Sequence, residues 1–404
     1  MMSKNLNSYF EKYLEQENVF KDKKVFSMSY TPETIEYRDE QIDAIANILA
    51  PALKLDKPSN LFIYGKTGTG KTLTVRYTTA QIAKVAAEKN IPVFVHYLNC
   101  KLKRVADTEY RLIAQLAREF GREIPPTGLP TDEVYKIFFE ILDEKEQIII
   151  LILDEIDQLV KKAGDEILYN LTRINSELRK AQVTIIGVSN DLVFTDGLDT
   201  RVKSSLSEEE IVFPPYNAFQ IQNILKKRAK IAFKPNVIKD GVIEKCAAYA
   251  AREHGDVRRA IELLRVAAEL SERKGDQHVG FEHLDEAEDK IERDRVIDII
   301  STQPKQFQAL LYAVIKLSMN KQGFILTGEV YELYKSICYN IDLRPLTQRR
   351  ISDVITELDM LGIINAKIIS KGRFGRTREI ALAIPATTRP RVQKILEEGL
   401  QLSA

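Results

Sequence analysis

The sequence has few cysteines, few histidines and no long hydrophobic run. Its three cysteines, Cys100, Cys246 and Cys338, lie far apart in a chain of 404 residues, and the four histidines are scattered. Neither a disulfide framework nor a zinc site is indicated, so the cysteines are expected to be reduced core residues of a cytoplasmic protein. Apolar runs such as residues 148–153 fall far short of the ~18 residues that a membrane span needs.

The N-terminal sequence MMSKNLNSYFEKYLEQ lacks the apolar centre and the small-residue cleavage site of a secretory signal. Residues 1–25 are expected instead to form a polar, helical and partly mobile arm. A composition of 44% hydrophobic and 29% charged residues is typical of a globular protein. The length of the chain predicts two or three domains.

The formal net charge of +1 conceals an uneven distribution. Residues 301–404 contain 15 Lys and Arg against 9 Asp and Glu, whereas residues 1–300 contain 44 against 49. A basic C-terminal module on a mildly acidic body suggests that a polyanion is the partner of that module. Charge alone also fits a solvated basic face.

The pattern of hydrophobic residues changes once within the first 300 positions. In residues 26–215, short apolar strands alternate with segments of helical period, which predicts a parallel α/β sheet with crossover helices. Residues 216–300 lose the strand pattern and are rich in Ala, Leu, Glu, Lys and Arg, as in a small helical bundle. The predicted strands are residues 60–65, 93–98, 148–155 and 183–190.

A phosphate-binding loop follows the first predicted strand. The segment GKTGTGKT opens a helical stretch, and this strand–loop–helix setting is typical of a P-loop. Its glycines allow a tight turn whose N–H groups form an anion nest at a helix N-terminus. Lys71 is predicted to neutralise the β- and γ-phosphates, and the Thr72 hydroxyl to bind Mg²⁺. The loop comprises Gly65, Lys66, Thr67, Gly68, Thr69, Gly70, Lys71 and Thr72.

Acidic and amide side chains end the third and fourth predicted strands. Asp154 and Glu155 complete IIILILDE, and Asn190 completes VTIIGVSN. Asp154 is expected to hold Mg²⁺ and Glu155 to polarise an attacking water. The neutral amide of Asn190 suits a hydrogen bond to the γ-phosphate or to that water. These residues predict ATP hydrolysis.

Two arginines farther along the chain fit roles around the γ-phosphate. Arg201, in DTRVKSS, is a candidate transition-state finger for a neighbouring subunit, and a surface ion pair is the alternative. Arg258 begins a helical stretch after a Gly-Asp turn and is a candidate lid residue that reaches the γ-phosphate. Arg259 fits that role equally, and capping of the bundle is the alternative for both.

The order and spacing of these motifs resemble those of AAA+ ATPases. With the C-terminal block included, the whole chain closely resembles the archaeal origin-recognition initiators. The resemblance implies a RecA-like α/β core, a helical lid and a C-terminal winged-helix domain, with Arg201 as the finger and Arg258 as the lid sensor. Clamp-loader small subunits, the nearest competing family, typically carry Ser-Arg-Cys at the finger, where this chain has DTRVKSS.

The same resemblance adds residues to the nucleotide site. Arg38, in TPETIEYRDEQ, matches an arginine that lies near the adenine. Tyr216 and Arg228 match lid residues that close over the nucleotide. This chain departs from many relatives in having Tyr37, rather than His, before that first arginine.

The resemblance also implies a DNA-contacting helical insertion near residues 101–130. Residues 101–122 contain six basic and three acidic residues. An apolar stripe at helical spacing is expected to pack this segment onto the core, with a solvated amphipathic helix as the alternative. The stripe consists of Ile113, Leu116, Ala117 and Phe120. The candidate DNA contacts are Lys101, Lys103, Arg104, Arg118 and Arg122.

The C-terminal block, residues 301–404, has the pattern of a winged helix. Helical stretches near residues 306–318, 328–339 and 347–361 precede two strand-like runs, IINAKIIS and EIALAI. The third stretch has one apolar face and a polar first turn, which suits a recognition helix. The basic tip between the strands predicts a wing, and a hairpin with incidental charge is the alternative. The candidate DNA contacts are Gln348, Arg349, Arg350, Lys371, Arg373, Phe374, Arg376 and Arg378.

These patterns predict an ATP-dependent initiator that recognises a replication origin and takes part in helicase loading. ATP or ADP and Mg²⁺ are the expected cofactors. The expected partners are double-stranded origin DNA, the replicative helicase and other initiator subunits, without a membrane. A weak ATPase that serves mainly as a switch is expected, in the cytoplasm and associated with the nucleoid. A sequence-blind AAA+ clamp or helicase loader and a nucleotide-gated transcriptional regulator are the alternatives.

Overall fold

The computed structural model describes residues 18–27, 30–101, 108–125, 128–206, 208–252, 255–320, 323–370, 376–385 and 388–402. The chain divides into two compact units, Met1–Leu284 and Asp285–Ala404, each of which has its own hydrophobic core. No helix among the described residues has the length and hydropathy of a membrane span. All three cysteines are buried and free, as predicted.

A parallel five-stranded sheet forms the centre of the first unit. Its order is β2-β3-β4-β1-β5. The strands are β1 Leu61–Tyr64, β2 Val93–Asn99, β3 Gln147–Asp154, β4 Ala181–Ser189 and β5 Glu209–Val212. The four predicted strands are confirmed. The fifth, EEIV, was not predicted because only one of its residues is buried and it pairs only with β1 at the sheet edge.

Helices cover both faces of this sheet. The helices of the first unit are α1 Asp39–Leu49, α2 Lys71–Glu88, α3 Glu109–Glu119, α4 Thr131–Leu142, α5 Ile156–Ala163, α6 Glu166–Thr172, α7 Thr200–Leu206, α8 Ala218–Ala232, α9 Val242–Arg252 and α10 Val257–Lys274. Successive residues of β3 point into opposite cores, which explains its continuous apolar run. One core contains Ile149, Leu151 and Leu153, and the other contains Ile148, Ile150 and Ile152.

The N-terminal segment, described from residue 18 onward, contains buried apolar residues, whereas a polar arm was predicted over residues 1–25. Its described part packs against the end of α8, where the rings of Phe20 and Phe26 lie 5.0 and 5.3 Å from that of Phe233. The apolar residues stand in two isolated pairs and therefore give no periodic pattern. The buried residues are Val19, Phe20, Val25 and Phe26.

The second unit combines helices with a small antiparallel sheet. Helix α11, Phe281–Thr302, crosses the boundary between the units. The sheet has the order β6-β8-β7. Its elements are α12 Lys305–Asn320, β6 Ile325–Leu326, α13 Thr327–Asn340, α14 Gln348–Met360, β7 Ile364–Ser370, β8 Arg376–Leu382 and α15 Arg389–Leu400. The three predicted helices and both strands are present, whereas β6 and α15 were not predicted.

Candidate functional site

The loop Gly65–Thr72 connects β1 to α2, at the carboxyl edge of the parallel sheet. Gly68 and Gly70 have φ values of 72° and 88°, a region that favours glycine. A side chain at Gly70 would also bring a Cβ to 2.9 Å from the hydroxyl of Tyr216. The glycines are therefore required by both the turn and the close approach of the lid.

Lys71 begins α2 and is only 5% exposed. Its ammonium donates to the carbonyls of Gly65 at 2.7 Å and Lys66 at 2.8 Å, and to Oδ1 of Asn190 at 2.9 Å. Burial lowers the pKa of this ammonium to about 8, and the nearby Asp154 carboxylate counteracts part of that shift. The structure thus brings two predicted residues, Lys71 and Asn190, into direct contact.

Asp154 is held in one orientation at the carboxyl end of β3. Its Oδ2 accepts from the Thr72 hydroxyl at 2.9 Å and from the Tyr97 hydroxyl at 2.7 Å. Its Oδ1 accepts from the backbone N–H of Glu155 at 3.0 Å. Hard oxygen donors at this separation suit Mg²⁺, which prefers carboxylate, hydroxyl and water ligands in octahedral geometry.

Glu155 follows in a left-handed backbone conformation, with φ of 54°. This region is uncommon for residues other than glycine, and such strain clusters at functional sites. The carboxylate of Glu155 lies 3.6 Å from the ammonium of Lys101, whose side chain is 70% exposed. Lys101 was predicted as a DNA contact, and in this structure it pairs with Glu155, the carboxylate predicted to polarise the attacking water.

A cavity of about 770 Å³ joins these groups. Its polar end is formed by residues 68–72, Asp154, Glu155 and Asn190. Its apolar end is lined by residues that no motif identified, namely Phe26, Tyr30, Ile35, Ile224, Val257 and Ile261. An apolar slot that opens onto an anion nest fits a nucleoside phosphate, because base and phosphates need these two environments.

Tyr216 and Arg228, predicted as lid residues, both line this cavity. Arg228 donates to the carbonyl of Val25 at 2.7 Å, and its guanidinium lies 5.0 Å from the centre of the Tyr30 ring. Arg228 therefore joins α8 to the N-terminal segment, and this segment forms part of the predicted site.

Arg38, which was expected near the adenine, is not among the residues that line the cavity. It is 2% exposed, and its guanidinium donates to the carbonyls of Thr69 at 2.9 Å and Pro214 at 2.7 Å. The guanidinium also lies 3.8 Å from the centre of the Tyr216 ring. Arg38 therefore lies behind the cavity wall and joins the P-loop to the segment that leads into the lid.

The two candidate γ-phosphate arginines have different positions. Arg258 lines the cavity at the start of α10, where it pairs with the N-cap residue Asp256 at 3.4 Å. Arg201 is 66% exposed and lies outside that cavity. It pairs with Asp199 at 3.1 Å, and its guanidinium lies 5.0 Å from the Tyr169 ring. An exposed position is what a finger supplied to another subunit requires.

In the second unit, α14 presents the predicted donors on its first turn. The hydroxyl of Thr347 caps this helix by accepting from the N–H of Arg350. Gln348, Arg349 and Arg350 are exposed. The opposite face is buried through Ile351, Val354, Ile355 and Leu358.

The predicted wing is only partly described. Strands β7 and β8 pair in the register Ser370–Arg376, so the chain reverses between them. Arg378 is half-buried and donates to the carbonyl of Ser352 on α14 at 2.8 Å. Lys371, Arg373 and Phe374, and the side chain of Arg376, lie outside the described residues.

Helix α3 buries the predicted apolar stripe and leaves basic residues exposed. Ile113, Leu116 and Ala117 are fully buried, and Phe120 packs partly buried beside them. The exposed residues include Arg118, Arg122 and also Arg111, which was not predicted. Lys103 and Arg104 lie outside the described residues.

Three successive regions of the chain match known protein families. Residues 55–193 match the AAA domain family, and residues 222–289 match the family described as the Cdc6 AAA+ ATPase-type lid domain. Residues 298–389 match the CDC6 C-terminal winged helix domain. The ORC1-type DNA replication protein of Thermococcus kodakarensis is 54% identical over 383 residues, covering 94% of this chain and 92% of the relative.

The chain belongs to the ORC1-type DNA replication proteins. ORC1-type DNA replication protein 1 of Methanosarcina mazei is 51% identical over 402 residues, which cover 99% of this chain and 95% of that protein. The solved structure of the Aeropyrum pernix ORC1 protein in complex with DNA is 41% identical, with a TM-score of 0.83, and the match covers 95% of this chain and 98% of that one. The predicted fold is confirmed: an AAA+ core, a helical lid and a winged helix.

Proposed function

We propose that this ORC1-type protein binds ATP and duplex origin DNA, and that its nucleotide state controls its action as a replication initiator. One observation supports the nucleotide site above all: a single cavity is lined by Lys71, Asp154, Glu155, Asn190 and Arg258. The apolar end of that cavity suits adenine. Family membership supports the further inference that other initiator subunits and the replicative helicase are partners.

Each polar residue has a distinct role in the proposed ATP hydrolysis. Lys71 neutralises the β- and γ-phosphates, and Glu155 polarises the attacking water. Asn190 orients that water or the γ-phosphate, and Arg258 contacts the γ-phosphate from the lid. Thr72 and Asp154 would hold Mg²⁺, which would supply positive charge at the phosphates.

Arg201 acts on the nucleotide of a neighbouring copy in this proposal. Its exposed position outside its own cavity supports that role. An isolated copy lacks a finger and hydrolyses ATP slowly, because such an arginine stabilises the charge of the transition state. ATP therefore serves mainly as a switch.

A pair of variants tests the nucleotide site. The Glu155→Gln variant should bind ATP as wild type does and lose turnover, because an amide does not accept the proton of water. The Lys71→Ala variant should lose both binding and turnover. Fluorescent-nucleotide titration and phosphate release measure the two properties. Equal turnover in wild type and Glu155→Gln would show that Glu155 does not polarise the attacking water.

Two basic elements form the proposed DNA interface. The first turn of α14 with the neighbouring wing would enter a groove, and the exposed basic face of α3 would contact phosphates. The exposure of Arg349, Arg118 and Arg122 supports this assignment. The Aeropyrum pernix relative, whose structure was solved in complex with DNA, supports duplex DNA as the ligand.

We also propose the domain limits expected from the sequence. The core would occupy residues 26–215, the lid residues 216–300 and the winged helix residues 301–404, after an N-terminal segment of residues 1–25. The family matches at 55–193, 222–289 and 298–389 support three successive domains in this order.

A further inference from the structure

Tyr97 lies near the end of β2, beside the acidic end of β3. Its hydroxyl donates to Oδ2 of Asp154 at 2.7 Å and is also hydrogen-bonded by the Asn99 side chain. The guanidinium of Arg76, on α2, lies 4.9 Å from the centre of the Tyr97 ring. The phenol is therefore fixed by contacts at its ring and at its hydroxyl.

The Asp154 carboxylate accepts three described hydrogen bonds, and their donors differ in kind. Thr72 is itself a proposed Mg²⁺ ligand, and the N–H of Glu155 belongs to the neighbouring residue. Tyr97 is the donor that comes from a separate strand. Its removal would leave Oδ2 oriented only by a hydroxyl that also serves the metal.

We propose that Tyr97 is a positioning residue that orients the Asp154 carboxylate for nucleotide-bound Mg²⁺. This inference rests on the proposed function, because it deepens the role of the same site. Tyr97 lines the cavity, and its hydroxyl acts through the hydrogen bond to Asp154.

Loss of the Tyr97 hydroxyl should weaken the binding of Mg²⁺ more than the binding of the nucleotide itself. A hydrogen bond to a ligating carboxylate fixes its orientation, and loss of such a partner typically weakens metal affinity about 10- to 100-fold. The Tyr97→Phe variant keeps the ring that stacks against Arg76 and removes only the hydroxyl. Contacts that bind the base and the phosphates directly are left in place.

The test is a titration of the full-length protein with fluorescent ADP, with Mg²⁺ varied from zero in EDTA to saturation. We expect Tyr97→Phe to raise the Mg²⁺ concentration for half-maximal tightening about tenfold or more. Its ADP affinity in EDTA should stay within about twofold of wild type, because Lys71 and the loop are unchanged.

Tyr135→Phe is the matched control. The Tyr135 hydroxyl donates to a carboxylate too, Oε1 of Glu109, at 2.6 Å, in the same unit. Tyr135 does not line the nucleotide cavity. The control thus loses the same kind of hydrogen bond away from the metal, and its Mg²⁺ titration should match that of wild type.

Three outcomes would overturn this inference alone, and a fourth would overturn the proposed metal site as well. An unchanged Mg²⁺ titration in Tyr97→Phe would show that the hydroxyl does not orient the metal ligand. An equal loss of affinity with and without Mg²⁺, or an equal effect of Tyr135→Phe, would show a general structural role. None of these outcomes would contradict the proposed nucleotide site. Wild-type affinity that is independent of Mg²⁺ would overturn both this inference and the proposed metal site.

Discussion

At the scale of single residues, burial controls the charge of the phosphate-binding lysine. The Lys71 ammonium is enclosed by carbonyls and by Asn190, and its pKa is lowered to about 8, first by burial and further by the nearby Arg258. Bound phosphates would favour the charged ammonium and raise that pKa again. Nucleotide binding is therefore linked to uptake of a proton above pH 8.

This linkage predicts a decline of ADP affinity at alkaline pH. Between pH 7 and pH 9 the affinity should fall about tenfold, because above a pKa of about 8 the free protein is largely deprotonated and must take up one proton when the nucleotide binds. Titration calorimetry at several pH values measures this. The Lys71→Arg variant should lack the decline, since a guanidinium stays charged throughout. A constant wild-type affinity over this range would contradict the account.

A second residue-scale prediction concerns Asp143, which precedes the third strand. Its Oδ1 accepts the N–H groups of Arg179, Lys180 and Ala181 at 2.9, 2.6 and 3.0 Å, at the start of β4. These backbone hydrogen bonds hold the pKa of the carboxyl below its usual range. A folded-state pKa below the unfolded one gives stability at neutral pH that is lost as the pH falls through the folded pKa.

The Asp143→Asn variant should therefore unfold at a lower temperature than wild type, by about 2 °C at pH 7. The difference should shrink as the pH falls from 5 toward 2, because wild type then loses its own carboxylate. Thermal unfolding followed by circular dichroism at both ends of that range measures the effect. A difference that is independent of pH would show that the charge of Asp143 is not the cause.

Much of the candidate site could be predicted, because its residues follow strands in recognisable order. Lys71, Thr72, Asp154 and Asn190 come together because parallel strands end at one edge of the sheet. Tyr97 could not be predicted, since its role depends on the pairing of β2 with β3. The lining residues Phe26 and Tyr30 come from a segment without periodicity, so they could not be predicted either. Arg38 came from the family resemblance, and its hydrogen bonds to the carbonyls of Thr69 and Pro214 depend on the tertiary structure.

At the scale of elements, α3 and α14 have the same construction. Each begins at a threonine N-cap, Thr108 or Thr347, buries one apolar face and exposes basic residues. The exposed basic residues are distributed differently, because α14 carries Arg349 and Arg350 together on its first turn, whereas α3 carries Arg111 near its start and Arg118 in its last turn. This difference suits base reading by α14 and phosphate contact by α3.

Two single variants should separate these roles. Arg118→Ala should weaken binding to every duplex by a similar factor and reduce the slope of log affinity against log salt by about one. Arg349→Ala should instead reduce the ratio between a preferred and a random duplex. Fluorescence anisotropy with both duplexes at several salt concentrations measures this. Identical effects of the two variants would contradict the division of roles.

The two strands that the sequence did not predict share a physical reason. Strand β5 and the two-residue β6 are short and lie at sheet edges, so little of their surface is buried and no alternation develops. The long strands and most amphipathic helices were predicted because burial of one or both faces leaves a regular hydrophobic pattern. Helix α15 was missed although it buries Val392, Leu396 and Leu400.

At the scale of the whole molecule, the proposed DNA contacts occur in both compact units. Helix α3 belongs to the first unit, whose sequence is mildly acidic overall, and α14 with the hairpin belongs to the second, whose sequence is basic. If both hold one duplex, many phosphates are neutralised together and their counterions are released. The number of released counterions sets the salt dependence of binding.

The affinity of the full-length protein for duplex DNA should therefore fall about 10³-fold between 50 and 200 mM salt. Anisotropy titrations at fixed temperature and fixed Mg-ATP measure the slope. A shallow slope, equivalent to only two or three phosphate contacts, would show that the two basic elements do not bind one duplex together.

The most direct test of the account is selection from a random duplex library by the full-length protein with Mg-ATP, followed by sequencing of the bound DNA. The account predicts one enriched motif that disappears when Arg349, Arg373 and Arg376 become Ala. A control that changes Lys305, Arg391 and Lys394 to Ala removes the same charge from the same unit and should keep the motif. No enrichment at any salt concentration would contradict a sequence-reading initiator and favour a sequence-blind loader.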